Sequence, residues 1–159
     1  MPSKVIDANK KVHSILVTSG EYARSPHQKH ENKERVSKKL ALLCNSDTVI
    51  RHLDVGCGDG FIFDCRPMRW SSMGIDVTNE MLEACKRKHP DIALQMGEAE
   101  SLPFDNETFD VVTCYSFLDH LENSALFYQE AYRVLRPGGK VYFGLNPNRK
   151  FAELCVYDL

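Results

Sequence analysis

Two aspartates, Asp54 and Asp76, each close a short apolar run and stand 22 residues apart. Between them, Gly56, Gly58 and Gly60 recur at alternate positions directly after Val55. Glycine at that density lets the backbone turn tightly and meet a ligand with no Cβ in the way. An acid about 20 residues beyond the first strand of a βαβ unit is where ribose hydroxyls find a partner. The pattern therefore predicts an adenosine-bearing ligand. Its spacing is GxGxG, not the GxGxxG that cradles a pyrophosphate at a helix N-terminus. Asp54 would repel a phosphate held close to the loop and suits a ligand amine instead. No GxxxxGKS/T run is present, which excludes a P-loop.

Such residues need strand ends and loops to hold them, and the chain supplies the pattern. Val49–Val55, Met73–Val77, Ile92–Met96, Phe109–Tyr115 and Lys140–Leu145 read as five strands. A brief helix over 60–66 is stopped by Pro67. Thr78 is placed to cap a helix through Lys88 that turns Met81, Leu82 and Cys85 inward. Asn123 is placed to cap another, with Phe127, Ala131, Val134 and Leu135 on its inner face. Pro137-Gly138-Gly139 predicts a turn into the fifth strand. Strands alternating with helices predict an α/β, Rossmann-like, doubly wound and mostly parallel sheet. Ahead of it, residues 4–18 (Val5, Ala8, Val12, Ile15, Leu16) and 31–44 (Val36, Leu40, Leu43) show helical periods, joined by a polar loop with Tyr22. The expected division is an N-terminal helical lid over 1–46 and a core over 47–159.

At 159 residues with 43% hydrophobic and 26% charged side chains, the chain matches one globular domain and not a disordered segment. Charge is uneven: residues 1–51 carry +5 and residues 52–159 carry −7. No dense Lys/Arg run or interleaved aromatic pattern accompanies that basic segment, so nucleic acid is not the expected partner. The six cysteines form no CxxC pair and have no histidine at finger spacing, so no metal is expected. The N-terminus is polar and no stretch approaches the roughly 18 apolar residues of a membrane span. A reducing cytoplasm is the expected compartment.

His52 to Gly60 with Gly74-Ile75-Asp76-Val77-Thr78 resembles the class I S-adenosylmethionine-dependent methyltransferases, in the type 11 branch typified by ubiquinone and menaquinone biosynthesis enzymes. Gly97-Glu98-Ala99-Glu100-Ser101-Leu102-Pro103-Phe104 is similar to that branch's GDAExLPF. Phe109-Asp110-Val111-Val112 with Leu118-Asp119-His120-Leu121 resembles its fourth strand and following loop. Glu130 to Gly139 resembles its ExxRVLkPGG segment. Five motifs in the right order cover about residues 45–148.

The resemblance implies S-adenosyl-L-methionine as cofactor, S-adenosyl-L-homocysteine as product and a small-molecule methyl acceptor. It implies that Gly56, Cys57, Gly58 and Gly60 form the loop under the methionine part, with Asp54 taking the ammonium. Asp76 would accept the ribose hydroxyls, a two-oxygen acceptor meeting two donors. Val77 and Met81 would flank the adenine, Glu98 would accept from its amino group, and the Ala99 N–H would donate to the ring. Cys114 and Tyr115 would lie near the sulfonium, with Tyr22 contributed by the lid. Methyl transfer from a sulfonium is an in-line displacement that asks mainly for alignment and exclusion of water. A hydroxyl acceptor adds the need for a base, and His120 stands near the expected substrate mouth.

Two alternatives follow from the sequence: a cofactor-binding relative without turnover that needs a partner, and an RNA or protein methyltransferase using the basic segment. The Asn-Pro-Pro-Tyr signature of adenine methylases is absent after the fourth strand, which reads Thr113-Cys114-Tyr115-Ser116. Family members usually continue through a helix and two more strands, so a sheet lacking its last two strands is expected. A homodimer covering the fifth-strand edge is the expected remedy.

Overall fold

The computed structural model describes residues 4–43 and 48–145. Cys44 and the segment from Asn146 onward, including Asn146-Pro147-Asn148, lie outside the described residues. The elements run α1 (Lys4–Thr18), α2 (His30–Leu43), β1 (Ile50–Val55), α3 (Phe61–Cys65), β2 (Trp70–Asp76), α4 (Asn79–Lys88), β3 (Ala93–Met96), β4 (Phe109–Tyr115), α5 (Ser124–Val134) and β5 (Leu135–Gly144). Short 3₁₀ turns occupy Tyr22–Arg24, Pro26–Gln28 and Leu118–His120. The strands form one sheet in the order β3-β2-β1-β4-β5, with every neighbouring pair parallel. The chain winds outward from β1 to β3, then returns to β4 on the other side of β1. The carboxyl ends of β1 and β4 thus flank the switch point where doubly wound sheets bind ligands.

β1 and β4 are buried along nearly their whole lengths, as a parallel sheet covered on both faces requires. The core gathers Leu53, Val55, Ile75, Val112, Phe127, Ala131 and Val134 between the sheet and α5. On the other face, Val36, Leu40 and Leu43 of α2 pack with Phe61, Ile62, Trp70 and Val111. Asn123 caps α5 as its sequence position predicts, its Oδ1 accepting from the backbone N–H of Ala125 and Leu126. Among the described residues, no helix is long and apolar enough to cross a membrane.

Four local features differ from the sequence expectation. α1 forms over the expected residues but buries none of them, and Val5, Val12 and Ile15 are 43%, 53% and 56% exposed. Helical periodicity identifies the helix but does not say which of its faces the body covers. β2 begins at Trp70 instead of Met73, because the Trp70-Ser71-Ser72 run continues the pairing with β1 from Ile50↔Trp70 onward. Thr78 stands at the N-cap of α4, yet its side chain makes no capping bond. Pro137-Gly138-Gly139 does not precede the last strand but lies within it. Leu135 already pairs with Phe109, and the register shifts between Phe109 and Val111 around Gly138, whose φ is 75°. Leu135 is buried as expected, but from β5 and not from α5.

Candidate cofactor site

Side chains two apart on a strand share a face, so His52 and Asp54 of β1 point the same way. Register sets Ser72 of β2 opposite His52 and Thr113 of β4 opposite Asp54. The Thr113 hydroxyl donates to Asp54 Oδ1 at 2.6 Å. Burial pushes the Asp54 carboxyl up to about 8, against the lowering effect of that hydrogen bond. With only 2% of its surface exposed, Asp54 lies directly beneath the glycine loop and does not line the open cleft.

The loop leaves β1 through Gly56 and Gly58, with φ of 69° and 51°, the left-handed region that glycine adopts without strain. The N–H groups of Gly56 and Cys57 both donate to the Ile75 carbonyl, tying the loop to the end of β2. Asp76 closes that tie, because Oδ2 accepts from Gly58 N at 2.9 Å and Oδ1 accepts from Thr78 N at 2.8 Å. Burial raises the Asp76 carboxyl as well, and these two backbone bonds oppose the rise. Gly60 faces elsewhere: a Cβ there would meet His89 and Cys85, so it serves the packing of α4. The Cys57 side chain likewise points inward, its Sγ reaching the space beside Gly74 and its thiol raised chiefly by a hydrogen bond with Cys85.

A cleft of about 670 Å³, open to solvent, lies over this edge of the sheet. Gly56, Gly58 and Asp76 form its floor, with Val77 and Met81 along one side. Glu98, Ala99 and Tyr115 line it from the β3 and β4 ends, and His120 from the following turn. Ten of the fourteen residues singled out from the sequence therefore border one cavity, while Asp54, Cys57 and Gly60 lie below or behind its floor and Cys114 is buried in the core. The bare backbone of Gly56 and Gly58 fits a ligand moiety laid across it. In this structure two aromatic rings rest there: a Cβ on Gly56 would lie 2.6 Å from Cγ of Phe117, and one on Gly58 would lie 3.0 Å from the Tyr22 hydroxyl. Burial, then Asp59, push the Tyr22 phenol well above its ordinary range.

Several contributors were not singled out from the sequence. α1 lays Ile6, Asn9 and His13 over the cleft. Asn9 Nδ2 donates to the His120 carbonyl at 2.9 Å, and the His13 and His120 rings meet edge to face at 4.8 Å. Burial, then His120, hold the His13 imidazole below its ordinary value, against Asp76 and Asp119. Their i, i+3, i+7 spacing was visible in the sequence, but the apolar positions between them dominate its periodicity. Asp59 pins the second 3₁₀ turn to the loop, accepting from Gln28 Nε2 at 3.0 Å and Lys88 Nζ at 3.1 Å. Ser116, with φ of 54°, makes the left-handed turn that brings Phe117 back over Gly56. Backbone strain of this sort concentrates at functional sites.

The loop carrying Glu98 and Ala99 is held from α5. Glu130 Oε2 accepts from Leu102 N at 2.7 Å, and Arg133 donates to the carbonyls of Leu102 and Phe104 at 2.8 and 2.6 Å. Glu100 accepts from Asn123 N, joining the same loop to the helix cap. The ExxR pair of the sequence is therefore a clamp on the β3–β4 connection.

The fold and the site define the chain as a class I methyltransferase domain, and the comparisons agree. A family model described as a methyltransferase domain matches residues 53–143, and the chain belongs to that family. A phthiotriol/phenolphthiotriol dimycocerosates methyltransferase of Mycobacterium leprae is 37% identical over 109 residues, covering 65% of this chain and 40% of that protein. A ubiquinone biosynthesis O-methyltransferase of Paracidovorax citrulli is 34% identical over 114 residues, 67% of this chain and 48% of that protein. The chain thus spans less than half the length of these two relatives. The crystal structure of the YcgJ protein of Bacillus subtilis superimposes with a TM-score of 0.63 at 27% identity, covering 72% of this chain and 50% of that one. S-adenosyl-L-methionine is the cofactor of this family.

Proposed function

We propose that this chain binds S-adenosyl-L-methionine across the glycine loop and directs its methyl group to a small-molecule acceptor. The observation that carries this reading is a pair of carboxylates at the switch point of the sheet, Asp54 buried under the loop and Asp76 half-buried beside it. Asp54 takes the methionine ammonium, directly or through water, while Gly56, Gly58 and the Cys57 backbone support the amino-acid part. Asp76 accepts the ribose hydroxyls with the lone pairs that the Gly58 and Thr78 N–H groups leave open. Val77 and Met81 wall the adenine, Glu98 accepts from its amino group and the Ala99 N–H donates to the ring. Tyr115 and Tyr22 enclose the methionine end. The sulfonium supplies the electrophilic methyl, and the chain's own residues align the acceptor and exclude water.

The cleft is lined by Asp76, Glu98, Glu100 and Glu122, and no Lys or Arg lines it among the described residues. That lining favours a neutral or cationic small acceptor over the phosphates of RNA, and the names of the relatives agree with it. For a hydroxyl acceptor, His120 accepts the proton.

Calorimetric titration with S-adenosylhomocysteine tests the cofactor site, and Asp76→Ala is expected to abolish binding. Transfer of labelled methyl to a panel of phenols, alcohols and amines tests turnover. His120→Gln is expected to lower turnover of a hydroxyl acceptor about a hundredfold while leaving the S-adenosylhomocysteine affinity unchanged. Binding with no transfer to any acceptor would favour a relative without turnover, and salt-sensitive RNA binding would favour the RNA reading.

A further inference from the structure

Behind Asp54 a row of hydrogen bonds crosses the middle of the sheet. Ser72 Oγ lies 2.9 Å from His52 Nδ1, His52 Nε2 lies 2.8 Å from Thr113 Oγ1, and Thr113 Oγ1 lies 2.6 Å from Asp54 Oδ1. The four residues come from three adjacent strands and are brought together by register alone. His52 is fully buried, wedged against Trp70 at 4.8 Å and Phe63 at 6.2 Å between ring centroids. A histidine in the hydrophobic interior of a central strand, with both ring nitrogens engaged, costs desolvation that an apolar residue would not.

The direction of each bond follows from the inventory of protons. A threonine hydroxyl has one proton, and facing a carboxylate it gives that proton to Asp54. His52 Nε2 must then be the N–H that donates to Thr113, which leaves Nδ1 as the acceptor of the Ser72 hydroxyl proton. The Trp70 carbonyl is a second acceptor for the one Ser72 proton but lies farther off, at 3.4 Å, so the shorter contact to Nδ1 takes it and every donor points toward Asp54. Burial holds the His52 imidazole down at about 3, with the Arg66 charge adding to the effect, so the ring stays neutral and keeps this tautomer.

We propose that Ser72, His52 and Thr113 are positioning residues that hold Oδ1 of Asp54 as a fixed acceptor, easing the ionisation of the carboxyl and aiming it at the ammonium of the cofactor. This rests on the assignment of Asp54 to the ammonium. Among the described residues Asp54 accepts this single hydrogen bond, so Oδ2 is the oxygen left for the ligand. The relay matters because the surroundings resist the charge. Asp76 faces Asp54 across the loop and disfavours its charge, Tyr22, Cys57 and Cys114 face it from the lid, the loop and β4, and the positive charge of Arg66 acts on His52. Among the described residues, the hydroxyl of Thr113 is the group that opposes burial at this carboxyl.

The test is the pH profile of S-adenosylhomocysteine affinity for the full chain, by calorimetry between about pH 6 and 8.5. In the wild type the affinity is expected to rise with pH as Asp54 ionises. Thr113→Val is expected to weaken binding about tenfold at neutral pH and to move the rise about one unit higher, so that the loss shrinks toward pH 8.5. Thr113→Ser keeps the hydroxyl and is expected to restore the wild-type profile. His52→Leu and Ser72→Ala are expected to shift it in the same direction by smaller amounts, with His52→Gln, which keeps a donor for Thr113, falling between. Thr113→Val with a wild-type profile, or with a loss that is the same at every pH, overturns the proposal. Asp54→Asn separates the two layers. Wild-type affinity in that variant removes the ammonium assignment itself, whereas collapsed affinity in it alongside an unshifted Thr113→Val profile removes only the relay.

Discussion

The ring of Phe117 rests on the bare backbone of Gly56, so closely that a methyl group added at Gly56 would fall 2.9 Å from Cε2 and 2.6 Å from Cγ. One residue of the glycine loop and one residue after β4 therefore occupy a single contact at the heart of the cleft. Phe117 also meets Phe127 edge to face at 6.1 Å, which ties that contact to the core beneath α5.

Gly56→Ala meets two penalties, the left-handed φ of 69° and the Phe117 ring. The conformational penalty alone is about 1–2 kcal/mol. The variant is expected to melt several degrees lower and to lose S-adenosylhomocysteine binding. Adding Phe117→Ala removes the steric part only, so the double variant should lose less stability than the two single losses added together, a coupling that a double-mutant cycle measures.

Asp54 makes the empty site pH-sensitive. Its carboxyl, ordinarily near 3.8, titrates at about 8 in the folded chain. Between those values the folded state holds a proton that the unfolded state has released. The stability tied to this group is therefore complete below the lower value and is lost as pH rises through the higher one. Thermal melts of the ligand-free protein at about pH 6 and about pH 8.5 should show the wild type falling more steeply than Asp54→Asn. At the higher pH the variant should melt several degrees above the wild type, at a scale of roughly 2–4 °C per kcal/mol for a chain of this size.

The clamp from α5 gives a third expectation. Arg133→Ala strips donors from the carbonyls of Leu102 and Phe104 and a partner from Glu130. A cost of about 1–3 kcal/mol follows for leaving partly buried acceptors unmet. Because the same loop carries Glu98 and Ala99, cofactor affinity should fall with stability. Hydrogen exchange should accelerate over residues 97–104 while β1 and β4 stay protected.

Much of this was legible in the chain itself. The strand runs end in the acids and glycines they must present, so β1, β4, the loop and Asp76 follow from apolar runs and glycine spacing. What escaped is of another kind. The exposed apolar stripe of α1 and its inward His13 share one helical period, and only the body decides which side is covered. The bulge at Gly138 looks like a turn to any local rule, since the pairing of Leu135 with Phe109 is made across 26 residues of sequence. The row from Ser72 to Asp54 depends on register between strands, and register is not written in any single segment. His52 carried the one local sign, a polar side chain two residues before Asp54 and so on the same face of the strand.

The order in which the strands are laid down bears on when the chain becomes able to hold its cofactor. β1, the loop, β2 and Asp76 are synthesised together, but their neighbour β4 arrives only after two further elements. Until Phe109–Tyr115 has emerged and paired, Asp54 lacks Thr113, and the roof formed by Phe117 and His120 does not exist. A nascent chain halted after α4 would carry the whole nucleotide signature in its sequence and still be deaf to the ligand. Affinity should appear during translation as a late and abrupt event, and the cofactor can act as a chaperone only for chains that have already passed that point.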